Sequence, residues 1–435
     1  MFGLFTNPDS EMRASARGWL DLADKVRHYR RDQMSDITLL DLQQKTEALR
    51  ARVHEKADAA RLKLAIEELE PVLARTGGRI YPRSTMLEWV EFLVVGLIVI
   101  LAVRQFFFQP FQIPTNSMWP SYNGMVPEVH ATPADEPSAT ARAFRFFAFG
   151  ASAYRVDAPV DGEILIPVLA SSGRPLGTPV MGRQWLVFRQ KQMRVELLVG
   201  TTPVHVDVPE DFFNTMNWVL KDTFAPDKPD YSAMVDAWEA AGRVENRAAT
   251  DENGNRVAVS LLHTGKKVHA GERVLSFDII SGDRLFVDRL SYHFVRPSVG
   301  SGFVFRTHNI EVLHSDSYYI KRLAGLPGDT LEIRKPLLLR NGAKITGAQA
   351  FLDNMARSGK YRGYFNGPED DPRYPGAILR PGATHTVSPN GYVALGDNSS
   401  DSLDSRYWGE VPKKDAVGRP LWVFYPFGGH WGPPR

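Results

Sequence analysis

Ser317–Asp329 reads SYYIKRLAGLPGD. Its aromatic and β-branched residues alternate with polar ones as a strand requires, and Leu326-Pro327-Gly328-Asp329 supplies the turn that ends it. Segments of the same kind fill the C-terminal three quarters of the chain: Gly162–Val168, Gln184–Phe188, Arg194–Val199, Arg256–Leu262, Leu285–Val287 and Tyr392–Leu395. Asn253-Gly254 between two such runs is a hairpin signal. The expected class is therefore mainly β and antiparallel. Within the quoted strand Lys321 stands out. A lone strand lysine is ordinarily a solvated edge charge, but Tyr319 and Ile320 precede this one and no acid follows until Asp329. Burial disfavours the charged form of an amine, so such a lysine can act as a base.

Upstream of the β-rich region the pattern changes. Met86–Val103 (MLEWVEFLVVGLIVILAV) is an 18-residue apolar run, near the lower limit for crossing a bilayer core of about 30 Å. The plainer alternative is a buried core helix. Glu88 and Glu91 lie in its first turns, where the helix dipole tolerates them, and Phe106, Phe107 and Phe108 follow as an interfacial anchor would. Arg75, Arg79 and Arg83 precede the run, while Arg104 alone lies between it and Arg142. That asymmetry predicts residues 1–80 inside and the bulk of the chain outside. Residues 1–80 repeat apolar positions at helical spacing (Trp19, Leu20, Ala23, Val26; Leu39, Leu42, Leu49; Leu62, Ile66, Leu69, Leu73), which predicts two or three amphipathic helices ended by Pro71 and Gly77-Gly78.

Composition narrows the chemistry. The 435 residues suffice for two or three packed units. A formal charge of +2 with interspersed signs excludes a nucleic-acid footprint. The lack of cysteine removes disulfides, thiol nucleophiles and cysteine zinc sites. Asp251–Arg256 has the look of a calcium loop, but Arg256 and Leu262 stand where that loop needs Gly and Glu, so neither metal nor cofactor is expected. Asp9, Glu11 and Arg13 arrive before any apolar run, so no cleavable leader is expected at the start.

Three further stretches complete a constellation: FQIPTNSMWPS around Ser117, GDRLFVDRLSY from Gly282, and GDNSSDSLDSRYWG from Gly396. A serine hydroxyl attacks a carbonyl only when a base takes its proton. None of the 11 histidines sits in a catalytic motif; a desolvated lysine can serve instead, and Lys321, 321 − 117 = 204 positions after Ser117, is well set for that. In this order after one apolar span, the segments closely resemble bacterial type I signal peptidases, the serine/lysine proteases that remove signal peptides from exported proteins. The closing VPKKDAVGRPLWVFYPF is similar to that family's C-terminal segment. The resemblance covers residues 86–123, 282–342 and 387–435.

The resemblance implies Ser117 as nucleophile, Lys321 as general base and Thr115 as the side-chain donor of the oxyanion hole. It implies that Ser402 hydrogen-bonds the lysine, that Asp404 and Arg406 brace the loop as an ion pair, and that Asp397 and Asn398 support it. Ile113, Pro114, Met118, Tyr319 and Ile320 would line shallow pockets for small side chains. The implied partners are signal peptides and the lipid bilayer, with the translocation machinery a candidate. The implied place is the cytoplasmic membrane, crossed once, with the catalytic domain on its outer face.

Residues 124–281 depart from the family, whose nucleophile block runs almost directly into the block at Gly282. A structureless loop of that length is implausible, so an inserted β-rich module is expected between residues 104–123 and 282–435 of the catalytic domain. YRVDAPVDGEILIPV and KKVHAGERVLSFDII are faintly similar to the halves of a lipoyl-type sandwich, without a carrier lysine at a hairpin tip. Ala143–Tyr154 (AFRFFAFGASAY) reads as a buried strand or helix, or else as an aromatic surface that dips into a membrane interface. Two other functions compete. A repressor-type self-cleaving protease shares a Ser/Lys pair but lacks the span and the GDN block. A catalytically silent membrane-anchored binding protein would have no need of Ser117, Lys321 and Ser402 together.

Overall fold

The computed structural model describes residues 8–81, 85–184, 188–250, 256–314 and 316–434, and forms two units, Met1–Ala102 and Val103–Arg435. In the first, α1 (Pro8–Arg30), α2 (Asp36–His54) and α3 (Ala59–Thr76) bury their apolar stripes together, with Leu42, Leu49, Leu62 and Leu69 inaccessible to solvent. Ser35 and Asp58 cap α2 and α3 by accepting from the Thr38 and Arg61 amides. Pro71 does not end α3, as the sequence suggested. It lies inside the helix, where the packing of Leu69, Val72 and Leu73 outweighs the lost backbone bond, and the helix ends at Gly77. The apolar run forms α4 (Thr85–Phe106). Its stretch Glu88–Phe106 has mean hydropathy 2.0 and 0% of it is buried, so the reading as a buried core helix fails. Among the described residues it is the one helix long and apolar enough to cross a membrane.

The second unit is mainly antiparallel β. One seven-stranded sheet has the order Phe108–Gln112, Arg284–Asp288, Ala416–Tyr425, Gly302–Arg306, Tyr318–Gly325, Gly391–Leu395 and Val411–Pro412. Strands from both ends of the chain meet in it, which carries Lys321 to the segment that follows the apolar helix. Lys321 lies opposite Phe303 and Arg322 opposite both Gly302 and Leu395. Since successive side chains point to opposite faces, these two cations serve different sides of the sheet.

Residues 124–281 build a core of their own, with Ile164, Val195, Phe212, Leu220 and Phe277 buried in it. Val126–Val129 and Ser152–Asp157 flank Arg273–Ile280 in a three-stranded sheet, and Gly162–Leu169 pairs with Phe188–Val199 and Arg256–Val268 in a six-stranded one. A 3-10 turn, Glu210–Thr215, runs into a helix at Met216–Phe224. Ala143–Tyr154 divides at Gly150, in the left-handed region (φ 62), into the helix Ala139–Phe149 and the strand from Ser152. That helix buries only Ala148, while Phe144 and Phe147 are 65% and 74% exposed, so the buried reading is corrected there. Asn253-Gly254 lies outside the described residues, as do residues 185–187 of the expected Gln184–Phe188 strand.

Candidate active site

Ser117 sits in the short turn Asn116–Met118, beyond the end of the Phe108–Gln112 strand. Asn116 holds that turn from within. Its amide nitrogen donates to the Met125 carbonyl (2.7 Å) and the Thr215 hydroxyl (3.3 Å), and its side-chain oxygen accepts from the Gly124 N–H (2.9 Å). Gly124 has no alternative, because a Cβ there would come within 2.3 Å of the Thr115 carbonyl carbon. From the other side Asn398 donates its backbone N–H to the Ser117 carbonyl (3.1 Å) and its side-chain amide to the Asn116 carbonyl (3.0 Å). The Ser117 turn is thus fixed by backbone and amide hydrogen bonds from both sides, which is the rigidity that a reacting group would need.

The Lys321 Nζ donates to the Ser117 Oγ at 2.5 Å. The lysine is 3% exposed, and burial pushes its amine down to about 8 from 10.5, with Asp404 opposing the shift and Arg406 assisting it. Ser402 lines the same cleft, but the bond expected from it to the lysine is not made. Its Oγ is buried without a hydrogen-bond partner, because the amine is turned toward Ser117. Gly396 packs against both groups: a Cβ there would meet the Ser402 Oγ at 2.0 Å and the Ser117 carbonyl at 2.5 Å.

Two buried ion pairs brace the segments that carry the site. Arg406 donates from Nε and Nη2 to the two oxygens of Asp404, each at 2.8 Å, and from Nη2 to the Ser399 carbonyl (2.8 Å) and the Ser402 carbonyl (3.1 Å). Asp404 also accepts from the Gly396 N–H at 2.8 Å. Burial alone would raise the Asp404 carboxyl, yet the guanidinium holds it below its usual range. The second pair escaped the sequence reading. Arg322 donates from Nε and Nη2 to Asp397, at 2.8 and 2.6 Å to its two oxygens, and from Nη1 to the Gly300 carbonyl at 2.7 Å. The signal was present in the opening stretch, since an arginine on a buried strand needs a carboxylate.

Ile113, Pro114, Thr115, Tyr319 and Ile320 line a cleft of about 910 Å³ around Ser117 and Lys321. Met118 does not. It is fully buried with Tyr122, Leu285 and Val287 beneath the cleft, the short turn having rotated it inward. Arg174, Asp211, Asn214, Thr215 and Asn217, all from residues 124–281 and unmarked by any local motif, also line this cleft. Among the described residues no cluster of His, Asp and Glu suited to a metal occurs.

The sequence profile described as "Signal peptidase, peptidase S26" matches residues 257–425. Signal peptidase I of Leptolyngbya laminosa is 33% identical over 159 residues, 35% of this chain and 66% of that protein. Signal peptidase I S of Bacillus subtilis is 31% identical over 153 residues, 34% of this chain and 76% of that protein. The chain belongs to the signal peptidase family. It spans 66% of the length of the first two curated relatives, from Leptolyngbya and Synechocystis. A solved signal peptidase I from Enterococcus faecalis aligns at 26% identity over 29% of this chain and 97% of that one, with a TM-score of 0.22. The family profile begins at residue 257, after Ser117 and inside the stretch read as an insertion.

Proposed function

We propose that this protein is a membrane-anchored serine endopeptidase that cleaves N-terminal signal peptides from exported preproteins with a Ser117/Lys321 pair. The observation that carries the proposal is the 2.5 Å contact between the Lys321 amine and the Ser117 hydroxyl, inside a site where burial brings the amine down to about 8. A neutral amine takes the hydroxyl proton as the Ser117 Oγ attacks the scissile carbonyl. The charge that develops on the carbonyl oxygen is met by the Ser117 N–H and the Thr115 hydroxyl, which does not cap its turn and lines the cleft. The Lys321 ammonium then protonates the leaving amine, and a water deprotonated by the same lysine releases the signal peptide from Ser117. Asp404 and Arg406, together with Asp397 and Arg322, are positioning residues that hold the loop against the nucleophile turn. Ser402, which lines the same cleft, is the residue that would accept from the amine once Ser117 has reacted.

Ile113, Pro114, Tyr319 and Ile320 would receive the small residues that precede a signal-peptide cleavage site. α4 would cross the cytoplasmic membrane once, with the arm inside and the catalytic unit on the outer face, so that an apolar signal segment lying in the bilayer presents its scissile bond close to Ser117. The translocation machinery would then be a neighbour. The test is cleavage of a preprotein by the full-length chain in detergent. Ser117→Ala and Lys321→Ala should each abolish it with the fold intact, and full activity in either variant would overturn the assignment.

A further inference from the structure

A second cavity, of about 1050 Å³, opens between residues 124–281 and the catalytic loop. It shares Asn214, Asn217, Ser400 and Asp401 with the cleft around Ser117, so those four residues form the common rim of the two spaces. Behind the rim, Trp218 of the Met216–Phe224 helix stacks edge-on against Trp119 of the nucleophile turn at 5.2 Å, which ties the wall of the cavity to the reacting serine.

The cleft therefore has two directions away from Ser117. In one, the extended segments Phe111–Thr115 and Ser317–Ile320 face each other across an apolar trough, the form that holds a peptide as an added strand. This arm leads back to Phe108, two positions after α4 ends at Phe106. A signal peptide, whose apolar part stays with the bilayer, belongs in that arm. The other direction passes Ser400 and Asp401 into the second cavity.

The chemistry of the cavity differs from that of the trough. Asp222, Asp230, Asp236, Glu239 and Asp401 line it against Lys221 and Arg362. Lys221 pairs with Asp222, and Arg362 with Asp230 at 3.6 Å. Asp236, Glu239 and Asp401 form no ion pair among the described residues, and the Asn217 Oδ1 at the rim is buried with no hydrogen-bond partner. The result is a polar space with an excess of negative charge, bounded by groups that accept hydrogen bonds.

We propose that this cavity binds the first residues of the mature segment, C-terminal to the scissile bond, as an extended peptide, and favours basic over acidic side chains there. Residues 124–281 are on this view the second wall of the substrate site. The inference rests on the signal-peptide reading of the cleft.

The test uses the full-length chain in detergent and a preprotein made in three forms: Lys at positions two to four after the scissile bond, Asp at the same positions, or truncation one residue after that bond. The wild type should cleave the Lys form about fivefold more efficiently than the Asp form, the effect of two partly solvated charge pairs. The double substitution Asp236→Asn and Glu239→Gln, which touches neither the dyad nor its supports, should bring that ratio below about twofold and leave the truncated form unchanged. A wild-type ratio near one, or a ratio the double variant does not move, overturns the proposal. A photoreactive residue at position three, bound to the Ser117→Ala chain, should label residues within 214–239, and labels only elsewhere overturn it too. Because labelling needs no turnover, capture in the cavity without any wild-type cleavage would refute the catalytic reading alone. Cleavage with labels only elsewhere would refute the cavity alone.

Discussion

Replacing Lys321 by methionine keeps an unbranched side chain of similar length and removes the amine. The folded state holds that amine at about 8 instead of 10.5, and each tenfold change corresponds to about 1.4 kcal/mol, so the buried ammonium costs about 3 kcal/mol. Methionine removes that cost and also the bond to Ser117, worth about 1 kcal/mol. The variant should therefore be inactive and more stable than the wild type by about 2 kcal/mol at pH 7, the balance of those two terms. The sign depends on pH. Below about 8 both folded and unfolded lysines are protonated, and the folded state bears the whole cost. Between about 8 and 10.5 the unfolded chain binds the extra proton, so wild-type stability climbs with pH. Above 10.5 both are neutral, the cost is gone, and the Ser117 bond leaves the wild type ahead by about 1 kcal/mol. Urea unfolding of the full-length chain in detergent, followed by tryptophan fluorescence, reads the difference at pH 7 and pH 10. A variant less stable than wild type at pH 7, or a gap that does not narrow by pH 10, would refute the claim that burial sets the amine.

The same amine predicts the pH–rate profile: kcat/KM for preprotein cleavage should rise about tenfold from pH 6 to 7 and level off above about 9, and a slope persisting to pH 10.5 would mean an unperturbed lysine. Thr115→Val should lower kcat by about 100- to 1,000-fold with little change in KM, measured by steady-state cleavage; a loss confined to KM would remove Thr115 from the oxyanion hole. Gly396→Ala, whose new methyl overlaps the Ser117 carbonyl and the Ser402 hydroxyl, should cost on the order of 100-fold in rate by displacing the Ser117 turn. A near-normal rate there would show that the turn is looser than its hydrogen bonds suggest.

Features that depend on neighbours in the chain were legible from it. The apolar run at 86–103 and the helical stripes of the arm follow from local periodicity, and Asp404 meets Arg406 because they are two positions apart across the start of a short helix. The strand around Lys321 was legible for the same reason, and so was the need for a base other than histidine. Pro71 was misread because packing of the three arm helices overrides a local penalty. Met118 was misread because one turn decides whether a side chain faces the cleft or the core.

Lys321 and Ser117 are 204 residues apart. The sequence by itself determined that a serine and a lysine of the right kind exist, on a turn and a strand of a β-rich chain. It could not determine that they meet, because their contact depends on the register of strands drawn from both ends of the chain. It could not determine that the lysine is buried enough to lose its proton near pH 8, since desolvation is a property of everything packed around it. Nor could it bring Arg322 to Asp397, 75 positions away, or Arg174 and Asn214 into the cleft. Those outcomes belong to the tertiary structure, because burial and long-range pairing are set by how sheets and cores close, and no local pattern carries that information.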